Sequence, residues 1–161
     1  RLRLPPLRLP RNPCGPRATR LKQRAKAKLK GVEMTNLQER AIKAAERFVE
    51  RRGMEVLNAE WKSEDGGAID LVALEDETVV FIDVNARSGA DKGMPEENIP
   101  AARERMEINA AKWFAENADD ERFVNVSVRF DIISMLVLSE DRALLRHRIN
   151  CLGADFTDST D

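Results

Sequence analysis

Cysteine is scarce. Only Cys14 and Cys151 occur, at opposite ends of the 161 residues, which excludes a disulfide framework and any cysteine metal-ligand spacing, and makes a reducing, cytoplasmic setting the default expectation. Long apolar runs are missing as well: none approaches the roughly 20 residues that span a bilayer, so no membrane partner is expected. A single histidine, His147, is spaced with Leu145 and Ile149 and reads as a packed strand residue rather than a ligand. Acid is absent from residues 1–30, which hold 11 Lys or Arg and five of the seven prolines.

That last absence divides the chain. Residues 34–161 carry 16 basic and 27 acidic residues, a net of −11, so the near-neutral total combines a basic arm with an acidic domain. The arm, residues 1–33, lacks the apolar core of a secretory signal, and its prolines break the amphipathic helix of a transit peptide. It is expected to be disordered. Two readings stay open: an arm that neutralises nucleic-acid phosphates, or translated upstream or appended sequence that is not native, with Met34 as the natural start. The domain is expected over 34–156, long enough for one core, with 157–161 as an acidic tail.

Asn36 is placed to cap a helix with Glu39 three residues on, and Leu37, Ala41, Ala44, Ala45, Phe48 and Val49 recur at helical spacing before Gly53. In the following strand, Leu57, Ala59 and Trp61 alternate with Asn58 and Glu60. Two β-branched runs then flank Glu75-Asp76-Glu77, which reads as a solvated turn, and each run carries one acid, Asp70 and Asp83. This predicts a β-hairpin. With Asp76 and Glu77 at the turn, paired residue numbers sum to 153. Ile69, Leu71 and Ala73 then face Val84, Ile82 and Val80 on one core face, while Asp70 lies across from Asp83 and Ala68 across from Asn85 on the other. Desolvating carboxylates in apolar strands requires compensation by a metal, a base or a hydrogen-bond network.

Residues 87–98 read as a long loop, followed by a helix with Pro100 in its first turn and Ala102, Met106, Ala110, Trp113 and Phe114 at helical spacing to about Asn117. Trp61, Trp113 and Phe114 are expected in the core. Phe123 to Leu138 forms one long strand or two, and Ala143 to Leu152 a further one. The expected architecture is therefore an α/β domain with a mixed sheet, in the order helix, three strands, helix, two strands.

This order, with acids in the second and third strands, resembles the PD-(D/E)xK restriction-endonuclease-like core. More closely, the chain resembles the YraN family of uncharacterised bacterial endonuclease-like proteins, which are similar to Holliday-junction resolvases. The motifs are Gly53, Gly67-Ala-Ile-Asp-Leu71, Val80-Phe-Ile-Asp-Val-Asn-Ala-Arg87, Asp91-Lys-Gly-Met-Pro95 and Val128-Arg-Phe-Asp-Ile132, covering about residues 36–156. The resemblance implies a Mg²⁺ or Mn²⁺ site formed by Asp70, Asp83 and the Val84 carbonyl, with nucleic acid, most simply DNA, as partner. Asn85 stands where the family has its catalytic lysine, and an amide carries no charge to stabilise the reacting phosphate. Ala68 and Ala102 replace further polar motif residues, and Ile42 replaces the first-helix glutamate, for which Glu39 is a stand-in one turn away. Arg87 and Lys92 are candidate nucleic-acid contacts, with Arg87 equally suited to pairing with loop acids. Arg129 and Asp131 match a motif without assigned chemistry and are expected as a structural ion pair. Two functions follow: a metal-dependent endonuclease-like protein, or a catalytically lapsed nuclease fold serving as a nucleic-acid-binding or protein-interaction module. The acidic surface weighs against unassisted DNA binding.

Overall fold

The computed structural model describes residues 36–151; the expected arm over 1–33 and tail over 157–161 lie outside them. Residues 36–51 are helical (helix α1), and Asn36, expected as the cap, is the first of the described residues. At its other end, Gly53 takes φ 88° and donates its N–H to the Glu50 carbonyl at 3.0 Å, while the Met54 N–H reaches the Val49 carbonyl at 3.1 Å. This pair of bonds is the Schellman ending that a left-handed glycine permits. Met54 and Val49 join the same apolar cluster, which fixes the chain's exit into the sheet.

Five strands follow: β1 (Glu55–Lys62), β2 (Ala68–Glu75), β3 (Thr78–Ser88), β4 (Ser127–Val137) and β5 (Ala143–Arg148), with helix α2 (Ile99–Glu116) between β3 and β4. They form one sheet in sequence order, with β3 and β4 parallel and the other neighbours antiparallel. The expected order of helix, three strands, helix and two strands is the order found. Of the two alternatives for Phe123 to Leu138, the single long strand is correct. Asn98 caps α2 through its side chain, with Pro100 in the first turn, where its missing N–H costs nothing.

The β2–β3 register sums to 153 over five pairs, from Glu75↔Thr78 to Leu71↔Ile82, and Asp76 makes the turn at φ 52°. The expected continuation through Asp70↔Asp83, Ile69↔Val84 and Ala68↔Asn85 is absent from the ladder. Beyond Leu71, the Asp70 carboxylate takes the Val84 N–H at 2.8 Å. On the other side of β2, Glu60 adopts φ 52° within β1, between the pairs Ala59↔Leu71 and Trp61↔Ile69. The alternation of faces is interrupted there. Leu71 and Ala73 cluster with α1, whereas Ile69, expected beside them, clusters with α2.

A second correction concerns the faces. One apolar face was expected on the hairpin; both are covered. Val80, Ile82, Val84, Ile133 and Met135 pack with Ala41, Ile42, Ala45 and Val49 of α1. Val72, Val79, Phe81 and Ile132 pack with Ala102, Met106, Ala110 and Trp113 of α2. A parallel β3–β4 pair needs a crossover, and the crossover helix covers the face that α1 leaves open. Edge strand β1 fares differently: a register shift falls between Val56 and Asn58, Ala59 is exposed, and only Trp61 is buried, so the alternation in its sequence does not become a core face. In α1, similarly, Ala44 is exposed and Ile42 buried.

Candidate active site

Where β2 and β3 splay, Asp70 and Asp83 are brought together on the α2 side of the sheet. Both are partly buried. The Asp70 carboxyl is pushed up to about 7, first by burial and then by the neighbouring Asp83 carboxylate, against the lowering effects of the Val84 N–H and the more distant Arg105. Two acids share a half-buried site, and burial beside a second carboxylate disfavours the charged form of Asp70. Asp83 finds its cation in Arg105 of α2, whose Nη2 lies 2.9 Å from Oδ2. Arg105 is three residues beyond Ala102, which is buried in the α2 cluster and offers the site nothing polar.

The residues beside the acids have definite partners. The Val84 carbonyl accepts a 2.8 Å hydrogen bond from Gln38 Nε2 on α1, while Glu39 is exposed. Consecutive helix positions diverge by about 100°, so Gln38 rather than Glu39 reaches the strand. Asn85 is half-buried and pairs with Ser134 across the parallel ladder. Ser134 Oγ is hydrogen-bonded to the Glu97 carboxylate at 2.5 Å, and Arg146 and Arg148 of β5 reach the same carboxylate at 3.1 and 2.9 Å. The Ala68 carbonyl accepts from Asn109 of α2 at 2.9 Å. Asn109 approaches so closely that a Cβ on Gly67 would lie 2.8 Å from its Oδ1 and from Ser63 Oγ, which accounts for glycine before Ala68.

The remaining expected residues lie elsewhere. Arg87 is on β3 rather than in the loop and donates to the Lys92 carbonyl at 3.2 Å; Lys92 itself is exposed in a short 3-10 turn. Arg129 and Asp131 form the two-pronged ion pair expected of them, at 3.0 and 3.1 Å. Asp131 is fully buried; burial raises its carboxyl, but the hydrogen bonds from His147, Arg129 and the Asn150 N–H outweigh that and hold it below the usual range. Arg129 also reaches Glu75 at 2.8 Å. This network ties β2, β4 and β5 together on the α1 side, where Asp131 and His147 are paired at 2.8 Å and the His147 ring packs edge-on against Phe48.

A family profile described as "Uncharacterised protein family UPF0102" matches residues 42–135, a span that includes both acids, Asn85 and Arg105. The chain belongs to the UPF0102 family, the YraN family to which its motifs point. A UPF0102 protein of Beutenbergia cavernae is 34% identical over 106 residues, covering 65% of this chain and 86% of the relative. UPF0102 proteins of Clostridium perfringens and Desulforapulum autotrophicum are 32% and 33% identical, over 55% and 57% of this chain and 69% and 73% of their own lengths.

In this UPF0102 chain the groups that could hold a hard cation are the Asp70 and Asp83 carboxylates and the Val84 carbonyl. Among the described residues no three or more His, Cys, Asp or Glu side chains converge as a metal cluster, yet the pair fits a divalent cation. Val84 occupies only one oxygen of Asp70 and Arg105 only one of Asp83, and a cation would relieve the repulsion from Asp83 that adds to burial in raising the Asp70 carboxyl. Sequence reasoning missed Arg105, Gln38 and Glu97. Arg105 had one signal, a cation one helical turn past the expected position. Glu97 had none, because its partners lie 37 to 51 residues away in sequence. No helix among the described residues is long and apolar enough to cross a membrane.

Proposed function

We propose that the Asp70–Asp83 pair is the divalent-cation centre of an endonuclease-like protein that hydrolyses phosphodiester bonds in nucleic acid, with branched DNA as the first substrate to test. The observation that carries this reading is the meeting of two carboxylates at the splayed end of β2 and β3, one pushed up to about 7 by burial and by the other. Mg²⁺ or Mn²⁺ held by Asp70, Asp83 and the Val84 carbonyl would neutralise phosphate charge and acidify an attacking water. Val84 N–H fixes the Asp70 carboxylate, and Gln38 orients the Val84 carbonyl from α1. Arg105, half exposed, offers its free guanidinium edge to a phosphate, which a planar donor fork suits. Asn85 hydrogen-bonds a water without supplying charge. Arg87, further along β3, and Lys92, in the turn after it, would contact the nucleic-acid backbone.

The second reading, a lapsed nuclease fold kept as a binding or interaction module, is favoured by one specific contact: Arg105 already neutralises Asp83 at 2.9 Å, while Asn85 leaves the family's lysine position uncharged. Titration calorimetry with Mn²⁺ on wild type and Asp70→Asn, together with cleavage of branched DNA by wild type and Asn85→Lys, separates the two. Asp70-dependent binding heat and cleavage by the wild type support the first reading. Heat that is absent, or unchanged in Asp70→Asn, overturns it. Cleavage by Asn85→Lys alone establishes the second reading with its geometry intact.

A further inference from the structure

A groove of about 430 Å³ runs between α1 and the turn joining β4 to β5, on the sheet face opposite Asp70 and Asp83. Arg40, Lys43 and Arg47 line one wall and Arg142 the other, over a floor that includes Ala41, Ala44 and Met135. The cations follow helical spacing, and Arg51 extends the row by another turn, while Glu39, Glu46 and Glu50 fall on the neighbouring side of α1. Lys43–Arg47 and Arg47–Arg51 are like charges four apart, an arrangement that destabilises a helix. Among the described residues none of Arg40, Lys43, Arg47 and Arg142 forms an ion pair. Arg40 donates instead to the Glu140 carbonyl at 3.0 Å, bracing the turn against the helix. Two acids also line the groove: Asp141 accepts from Ser139 within the turn, and the Glu140 carboxylate forms no ion pair among the described residues.

From a row of unpaired cations in a region that is otherwise acidic, we infer that this groove binds the phosphodiester backbone of nucleic acid, a placement that rests on the function proposed above. Arg40 to Arg47 spans about 10 Å of helix, enough for successive phosphates. Among the described residues the groove is lined by no aromatic side chain on which bases could stack, so recognition is of the backbone and independent of sequence. An acidic peptide would draw on the same charges, but its tight binding ordinarily needs a deep apolar pocket for an anchoring side chain, and the apolar lining here is three alanines, Val137 and Met135.

The test uses the full chain and a short labelled single-stranded oligonucleotide in EDTA, so that no divalent cation contributes. Acetylation of Lys43, read by mass spectrometry, is expected to fall at least fivefold on saturation, with Lys112 of α2 as the unprotected control. Arg40→Ala, Lys43→Ala and Arg47→Ala combined, all favourable to the helix, are expected to weaken binding at least tenfold and to lower the slope of log affinity against log salt by about two. Unchanged Lys43 labelling, or affinity and slope equal to wild type, overturns the inference. Displacement of the oligonucleotide by polyglutamate at lower concentration also overturns it, in favour of an acidic protein partner. The two proposals fail separately. Lys43 protection without Mn²⁺ heat leaves the groove and removes the nuclease centre; Asp70-dependent heat with Lys43 unprotected does the reverse.

Discussion

Asp70 bears two loads that a single carboxylate meets with difficulty: it caps the Val84 N–H, which favours the charged form, and it sits half-buried beside Asp83, which disfavours it. The balance goes to the neutral form, with a pKa of about 7 against an ordinary 3.8. A carboxyl raised on folding binds its proton more tightly in the native state, so it lowers stability progressively as pH rises from about 4 to about 7. Asp70→Asn keeps an acceptor for Val84 without the charge. Its melting temperature is therefore expected to exceed that of wild type at pH 8, with the difference shrinking towards pH 5. An equal difference at both pH values, by scanning calorimetry, would count against the charge as the cause. The proximity of the acids was legible from the hairpin register, but the cation that answers Asp83 was not: Arg87 was the sequence neighbour, and Arg105, 22 residues away on α2, makes the contact.

At the scale of elements, α2 is the piece on which the site depends. It buries Met106 and Trp113 against Phe81 and supplies Arg105 to Asp83 and Asn109 to the Ala68 carbonyl. Trp113 is nearly inaccessible, and its Nε1 donates to Asn58 Oδ1 at 2.9 Å. Trp113→Ala should cost about 3 to 5 kcal/mol in urea denaturation, and Trp113→Phe less, chiefly through the acceptor on Asn58 left without its donor. The helix was readable from its periodicity and from Pro100, because a 3.6-residue repeat is a local property. The reach of Arg105 depends on how α2 crosses the strands, which no local repeat contains.

Across the whole molecule, two carboxylates pull the pH dependence in opposite directions. Asp131, held below the usual range by His147, Arg129 and the Asn150 N–H despite its burial, contributes stability that is complete above the ordinary carboxylate range and is lost as pH falls through its native value. Asp70 adds stability as pH falls from about 7. Melting temperature is accordingly expected to peak in the mildly acidic range, and a steady rise to pH 8 would contradict this. Asp131→Asn should remove about 3 kcal/mol near neutrality, since it leaves Arg129 without its buried counter-charge, and should flatten the acid limb.

The sequence by itself determined the succession of elements, the β2–β3 register near the turn, the end of α1 at Gly53 and the two acids as the centre of interest. Each of these depends on local periods of 2 and 3.6, on turn chemistry, or on the cost of burying charge, all of which are properties of nearby residues. Tertiary structure alone decided that both faces of the sheet are covered, that the β2–β3 ladder stops at Leu71↔Ile82 so that Asp70 turns to Val84, and that Glu97 gathers Ser134, Arg146 and Arg148. It also set the basic row of α1 against the β4–β5 turn. These are contacts between elements remote in sequence, fixed by the crossing of helices over a twisted sheet and by the reach of long side chains.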